Sequence, residues 1–186
     1  MRELETNRLL LKPVEKADLI DLLELQWDQD VIKYMKFNPI SFADQEAWFN
    51  SLGKNMIAFT MWLKTESGQA FFGLTSLNNI DRVNQRATWG MKMKPTIQGK
   101  GLGYEASIIL IHYGFYHMNL KKIHADFLEE NQASLGLVNK IGMRKEGLLI
   151  DHIYHRGVFK NVVLVGMLKE EFYQTNTEAL QALGLI

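Results

Sequence analysis

Cysteine is absent from the 186 residues. That excludes disulfides, thiolate metal sites and a cysteine nucleophile, and any thioester chemistry must bring its own thiol. Long hydrophobic runs are also missing: the longest, Val162 to Leu168 with its glycine, falls far short of a membrane span. Met1-Arg2-Glu3-Leu4-Glu5 lacks the apolar core of a signal peptide, so a cytoplasmic location away from membranes is expected. Neither sign of charge is in excess, with 21 basic and 21 acidic residues, so no net positive field favours nucleic acid. The pairs Lys92/Lys94 and Lys121/Lys122 read as solvated faces. No metal is expected. His112 and His117 diverge around a helix, and His152 and His155 face opposite sides of a strand.

What is present is ordinary for a globular chain: 47% hydrophobic and 23% charged residues, with no linker, repeat or low-complexity stretch. A single domain over residues 1–186 follows. Patterning predicts strands over Arg8 to Val14, Ile57 to Lys64, Gln69 to Leu77, Gln85 to Lys94 and Lys121 to Leu128. A polar loop is expected from Asn78 to Asn84, and a hairpin of Arg144 to Ile153 with Val158 to Leu168 around Arg156-Gly157. Helices are expected over Asp18 to Trp27, from Ser41 to about Ser51, from Tyr104 to Met118 and over Ala133 to Ile141. Tyr104, Ile108, Ile111, Phe115 and Met118 form a core stripe. Strands and helices interleave without regular βαβ repetition, which gives an α+β fold class.

Between strand and helix lies Gln98-Gly99-Lys100-Gly101-Leu102-Gly103. A glycine-rich turn in this position lets backbone N–H groups and the helix dipole converge on a phosphate. Two familiar phosphate motifs fail. The Walker pattern needs Ser or Thr after Gly-Lys, where Gly101 stands, and the dinucleotide fingerprint needs a glycine spacing that the alternating Gly99, Gly101 and Gly103 lack. What remains, Gln-x-x-Gly-x-Gly after a strand closed by Pro95, resembles the pyrophosphate turn of the GNAT superfamily of acetyl-CoA-dependent N-acetyltransferases. Downstream, Asn131, Ser134, Lys140 and Gly142 match that family's Asn-x-x-Ser and Lys-x-Gly signatures, with Met143 in place of an aromatic residue. Thr6 to Pro13 and Tyr154 to Asn161 resemble the ribosomal-protein N-terminal acetyltransferase branch. Trp27 to Met35, with Trp48-Phe49, also resembles amino-sugar-nucleotide N-acetyltransferases.

The resemblance implies a mixed, mostly antiparallel sheet with splayed central strands and helices on both faces. It implies acetyl-CoA as co-substrate, held by the backbone of Met91 and Met93 along the pantetheine arm. Gln98, Gly99, Lys100, Gly101, Leu102, Gly103 and Tyr104 would hold the pyrophosphate, with Asn131 and Ser134 opposite. The acceptor is a primary amine on a small molecule or peptide, and a homodimer is common in the branch. Trp27, Tyr34, Trp48, Trp89, His152 and Tyr154 are candidates to border the acceptor.

The chain departs from the family where protons move. Val138 stands at the usual acid tyrosine and Thr88 at a frequent base glutamate, and neither ionises. Ser134 could touch the cofactor sulfur, or cap its helix. His124, Asp126, Glu129 and Glu130 are candidate bases, with water-mediated deprotonation equally open, so the base stays unassigned. The rival from another class is a catalytically silent acyl-CoA-binding module.

Overall fold

The computed structural model describes residues 4–35 and 40–186; the reading of the N-terminal tail over Met1 to Glu3 lies outside them. Strands are β1 (Leu4–Glu5), β2 (Leu9–Pro13), β3 (Ile57–Thr65), β4 (Gly68–Asp81), β5 (Arg86–Met93), β6 (Lys122–Leu128), β7 (Arg144–His155) and β8 (Val158–Leu168). Helices are α1 (Leu19–Trp27), α2 (Phe42–Ser51), α3 (Leu102–Tyr116), α4 (Gln132–Ile141) and α5 (Lys169–Ala182). The strands form one sheet in the order β1-β2-β3-β4-β5-β6-β8-β7, antiparallel throughout except between β5 and β6. The expected architecture is observed.

Strand alternation assigns the two faces. Leu9 and Leu11 of β2, Phe59 and Met61 of β3, and Ala87 and Trp89 of β5 join the large core with α3, α4 and α5. Ala58 faces the other way, into a smaller core with Leu19 and Leu22 of α1 and Trp48 and Phe49 of α2. A bulge between Met61 and Trp62 shifts the pairing with β4, and the neighbouring Phe71 and Phe72 serve opposite cores. Helix α3 is buried nearly all round, because α4 and α5 cover the side that the sheet does not. Its Gly114 allows the close approach: a Cβ there would lie 2.9 Å from both Ile123 and Leu77.

Two expectations change. The polar loop over Asn78 to Asn84 is shorter than expected, since β4 runs on through Asp81 with Ile80 buried. Asp81 then closes the turn, accepting the N–H groups of Val83 and Asn84 at 3.1 and 2.9 Å. Helix α5 was not foreseen. Its sequence is mostly polar, and it is anchored by Phe172 and Leu180 in the core. It kinks at Asn176, whose amide donates to the carbonyls of Ile141 and Phe172.

Candidate active site

Strands β5 and β6 pair only from Arg86 opposite Lys122 to Thr88 opposite His124. Beyond that rung β5 stays with β4 as far as Met93, while β6 stays with β8 as far as Leu128. The facing edges therefore separate, and β5 presents an unpaired edge of roughly 16 Å over residues 89–93. Unpaired strand edges invite an extended partner that completes their hydrogen bonds.

The open end of this fork meets the N-terminus of α3. Gly99 and Gly101 take φ of 76° and 77°, the left-handed region where glycine is favoured, and Gly101 is the N-cap. The first helical bond runs from the Glu105 N–H to the Gly101 carbonyl, so the N–H groups of Leu102, Gly103 and Tyr104 have no partner within the helix. Gly103 is needed for space: a Cβ there would sit 3.3 Å from the Met93 methyl. Beneath the turn, the buried carboxylate of Glu105 accepts the Thr6 hydroxyl at 2.5 Å and the Arg8 Nε–H at 2.8 Å. This ties the corner between β1 and β2 to the start of α3.

On the opposite face, α1, α2 and β5 enclose a cavity of about 390 Å³. Its walls include Leu22 and Gln26 of α1, Gln45 and Trp48 of α2, and Ser76, Asn78, Gly90 and Lys92 from the sheet. Asn78 donates to the Ser76 hydroxyl at 3.0 Å, and Gly90 faces that pair, with a Cβ there coming into ordinary contact with the Asn78 amide nitrogen at 3.4 Å. The fork's free edge and this cavity thus share residues 90–92 of β5.

At the closed end, Thr88 Oγ1 and His124 Nε2 lie 3.1 Å apart. Alternation from the core residues Ala87, Trp89, Ile123 and Ala125 turns both toward the cavity face of the sheet. Burial pushes the His124 pKa below its usual 6.5, and the positive charges of Lys122 and Arg86 push it the same way, against Asp126 and Glu146. The shift favours the neutral ring, the form that accepts a proton.

The expected residues distribute as follows. Met91 and Met93 stand on the free edge of β5, Gln98 to Tyr104 span the glycine turn and the first residues of α3, and Asn131 and Ser134 lie at the start of α4. Asn131 is the cap of α4, accepting the Ser134 N–H at 3.2 Å, so Ser134 stands in the first turn instead of capping it. Tyr104 donates its hydroxyl to Asn176 at 3.0 Å, and Lys140 Nζ lies 4.7 Å over its ring. Val138 is buried in the core.

The acceptor candidates fall elsewhere. Trp89 is 3% exposed and packs edge-on to Phe127 in the α3-side core, with its indole N–H unpartnered in the protein. Trp27 is 55% exposed and donates to the Ile40 carbonyl at 3.2 Å, bracing a cavity residue from outside. Lys33 covers the ring of half-buried Tyr34, His152 is exposed, and Tyr154 meets Phe159 edge-on. Trp48 does line the cavity. Sequence reasoning missed Gln26, Ser76, Asn78 and Lys92 as cavity residues, and also His155, which is buried and bonded to the Met35 carbonyl at 3.1 Å. Alternation on β4 and β5 was the available signal. Among the described residues no group of His, Asp and Glu could hold a metal ion, and no helix is long and apolar enough to cross a membrane.

Comparison with known proteins agrees with this geometry. The acetyltransferase (GNAT) domain family matches residues 8–144. The uncharacterized N-acetyltransferase p20 of Bacillus licheniformis is 32% identical over 176 residues, covering 92% of this chain and 99% of its own. Spermidine N(1)-acetyltransferase of Escherichia coli K12 is 24% identical over 163 residues, 87% of each chain. The crystal structure of spermidine N-acetyltransferase from Vibrio cholerae, in complex with CoA and spermine, superposes with a TM-score of 0.81 at 23% identity. It covers 88% of this chain and 97% of that one.

Proposed function

Since this chain belongs to the GNAT acetyltransferase family and is an acetyl-CoA-dependent N-acetyltransferase, we propose that it acetylates the primary amine of a small acceptor seated in the cavity between α1, α2 and β5. Transfer is direct, in a ternary complex, and His124 takes the amine proton. The observation that carries this reading is the junction at Thr88 and His124. There the free edge of β5 begins, and Gly90, two residues further along the strand, lines the cavity.

The pantetheine arm completes the edge of β5 beside Met91 and Met93, and the pyrophosphate sits on the N–H groups from Gly99 to Tyr104. The acetyl group then lies at the closed end of the fork, where backbone N–H groups of β5 can polarise its carbonyl. The acceptor amine has an unperturbed pKa of about 10, so it must lose one proton to solvent before its nitrogen can attack. As the C–N bond forms, the second proton, now on a positively charged nitrogen, passes to neutral His124, directly or through one water. The C–S bond then breaks, and the thiolate leaves with the electron pair of that bond. A thiol pKa of roughly 8.5 makes the thiolate a tolerable leaving group without the tyrosine that Val138 replaces. Ser134, in the first turn of α4, is the family-matched hydroxyl that would meet the departing sulfur.

For the acceptor, a groove suited to basic ribosomal tails should be acidic. Asp44 is the one carboxylate among the described cavity residues, and the Ser41 N–H and hydroxyl already hold it at 2.8 and 2.7 Å. That favours a small amine, such as an amino-sugar derivative, over a peptide N-terminus. Calorimetry with acetyl-CoA, combined with a thiol-release assay over an amine panel, tests the reading. Binding without release on any amine would sink it.

A further inference from the structure

The acceptor cavity holds a charge that the reaction described above does not use. Lys92 projects from β5 on the same face as Gly90 and lines the cavity, with its ammonium donating to the Gln26 side-chain carbonyl of α1. Gln26 is neutral. Asp44, at the start of α2, is committed to Ser41, and the remaining cavity residues among those described are apolar or uncharged. Burial alone pushes the Lys92 pKa down, from 10.5 to about 8, with no carboxylate acting in the opposite direction. Five other lysines among the described residues pair with carboxylates: Lys16 with Glu46, Lys64 with Glu5, Lys121 with Glu170, Lys122 with Glu146 and Lys160 with Glu130. Buried charges are as a rule paired, because desolvation costs more than a single neutral hydrogen bond returns. An ammonium held by one amide at the wall of a cavity lacks its anion.

We propose that Lys92, positioned by Gln26, determines specificity by binding an anionic group, a carboxylate or phosphate, carried on the amine acceptor. Lys92 lies two residues along β5 from Gly90, about 7 Å of strand. An acceptor whose amine reaches the fork at Gly90 therefore carries its anion a few bonds away. The same ammonium repels polycations, so the spermine and spermidine named for the relatives fit this cavity poorly. The inference rests on the reading of the cavity as the acceptor site.

The test uses matched amines that differ only in the anion: propylamine against β-alanine for a carboxylate, ethanolamine against O-phosphoethanolamine for a phosphate, with spermidine as the polycation. Thiol release from acetyl-CoA is followed for the wild type, Lys92→Met and Lys92→Arg, after acetyl-CoA binding confirms that each is folded. At least one anionic partner should exceed its neutral match in kcat/KM by about tenfold or more. Lys92→Met should erase that preference, Lys92→Arg should retain it, and spermidine should rank last in the wild type. A wild type that prefers neutral amines or spermidine overturns the proposal. So does Lys92→Met slowing every amine equally, because the lysine would then act on the proton. If acetyl-CoA binds and no amine is acetylated, the proposed function falls. The inference is then decided by calorimetry of β-alanine and O-phosphoethanolamine on CoA-loaded protein: binding that Lys92→Met abolishes supports it, and absent or unchanged binding overturns it.

Discussion

Thr88 Oγ1 and His124 Nε2, 3.1 Å apart, close the last rung on which β5 and β6 still pair. A threonine on one strand thereby holds an imidazole from the next at the point where the sheet opens. The position that often carries a carboxylate in the family here holds a threonine bonded to His124, the residue proposed as the base. Replacing His124 with Gln should lower kcat by about 100-fold, the usual share of a general base, while the affinity for acetyl-CoA stays unchanged. Thr88→Val, which removes only the orienting hydroxyl, should cost about tenfold. Steady-state kinetics with calorimetric cofactor binding checks both, and an unaffected kcat in the His124 variant removes it from the mechanism.

The same histidine sets the pH response. Burial first, then Lys122 and Arg86, hold its folded pKa below the ordinary 6.5. With the folded value depressed, its contribution to stability is fully present above pH 6.5 and is lost as pH falls through the unfolded and then the folded value. The acidic limb of kcat should therefore inflect below pH 6.5, and His124→Gln should abolish that limb. Urea unfolding between pH 5 and 7.5 should show the wild type losing stability toward acid more steeply than the variant.

Much of this arrangement was legible in the sequence, because it is local. The order of strand, glycine turn and helix at Ala87 to Tyr104 and the Asn131 cap each depend on a few neighbouring residues, so pattern exposes them. The cavity was not legible. Gln26, Gln45, Ser76, Asn78 and Lys92 come from four elements, and only the folded sheet brings them together. Aromatic residues drew the acceptor reading toward Trp27 and Trp89, yet Trp89 lies on the core side of β5 by strict alternation. Helix α5 escaped notice for a related reason. Its apolar contacts are few, and its kink is fixed by one amide, Asn176, bonded to the end of α4.

The glycine turn yields a prediction about the cofactor. Gly101 caps α3 at φ of 77°, a conformation that costs other residues about 1–2 kcal/mol, and it borders the unpartnered N–H groups. Gly101→Trp should abolish measurable acetyl-CoA binding while lowering the unfolding midpoint by about 2–8 °C, the shift that this backbone cost corresponds to. Calorimetry on the refolded variant checks it, and retained affinity would refute the pyrophosphate assignment.

At the other end of the site, Gly142 ends α4 at φ of 93°, donating its N–H toward the carbonyls of Val138 and Asn139. An added Cβ would lie 2.7 Å from Thr175 Cγ2 and 3.0 Å from the Met167 methyl. Two separate effects oppose a side chain there: the left-handed backbone, and contact with α5 and β8 below ordinary van der Waals separation. Together they should cost Gly142→Ala about 2–4 kcal/mol. Thr175→Ser removes the methyl in the way and relieves only the steric part, so the double variant should recover some of the loss and leave the backbone share. Urea unfolding with an unchanged m-value measures both. Full recovery in the double variant would show that the turn costs alanine nothing, and no recovery would show that Thr175 is not the obstacle.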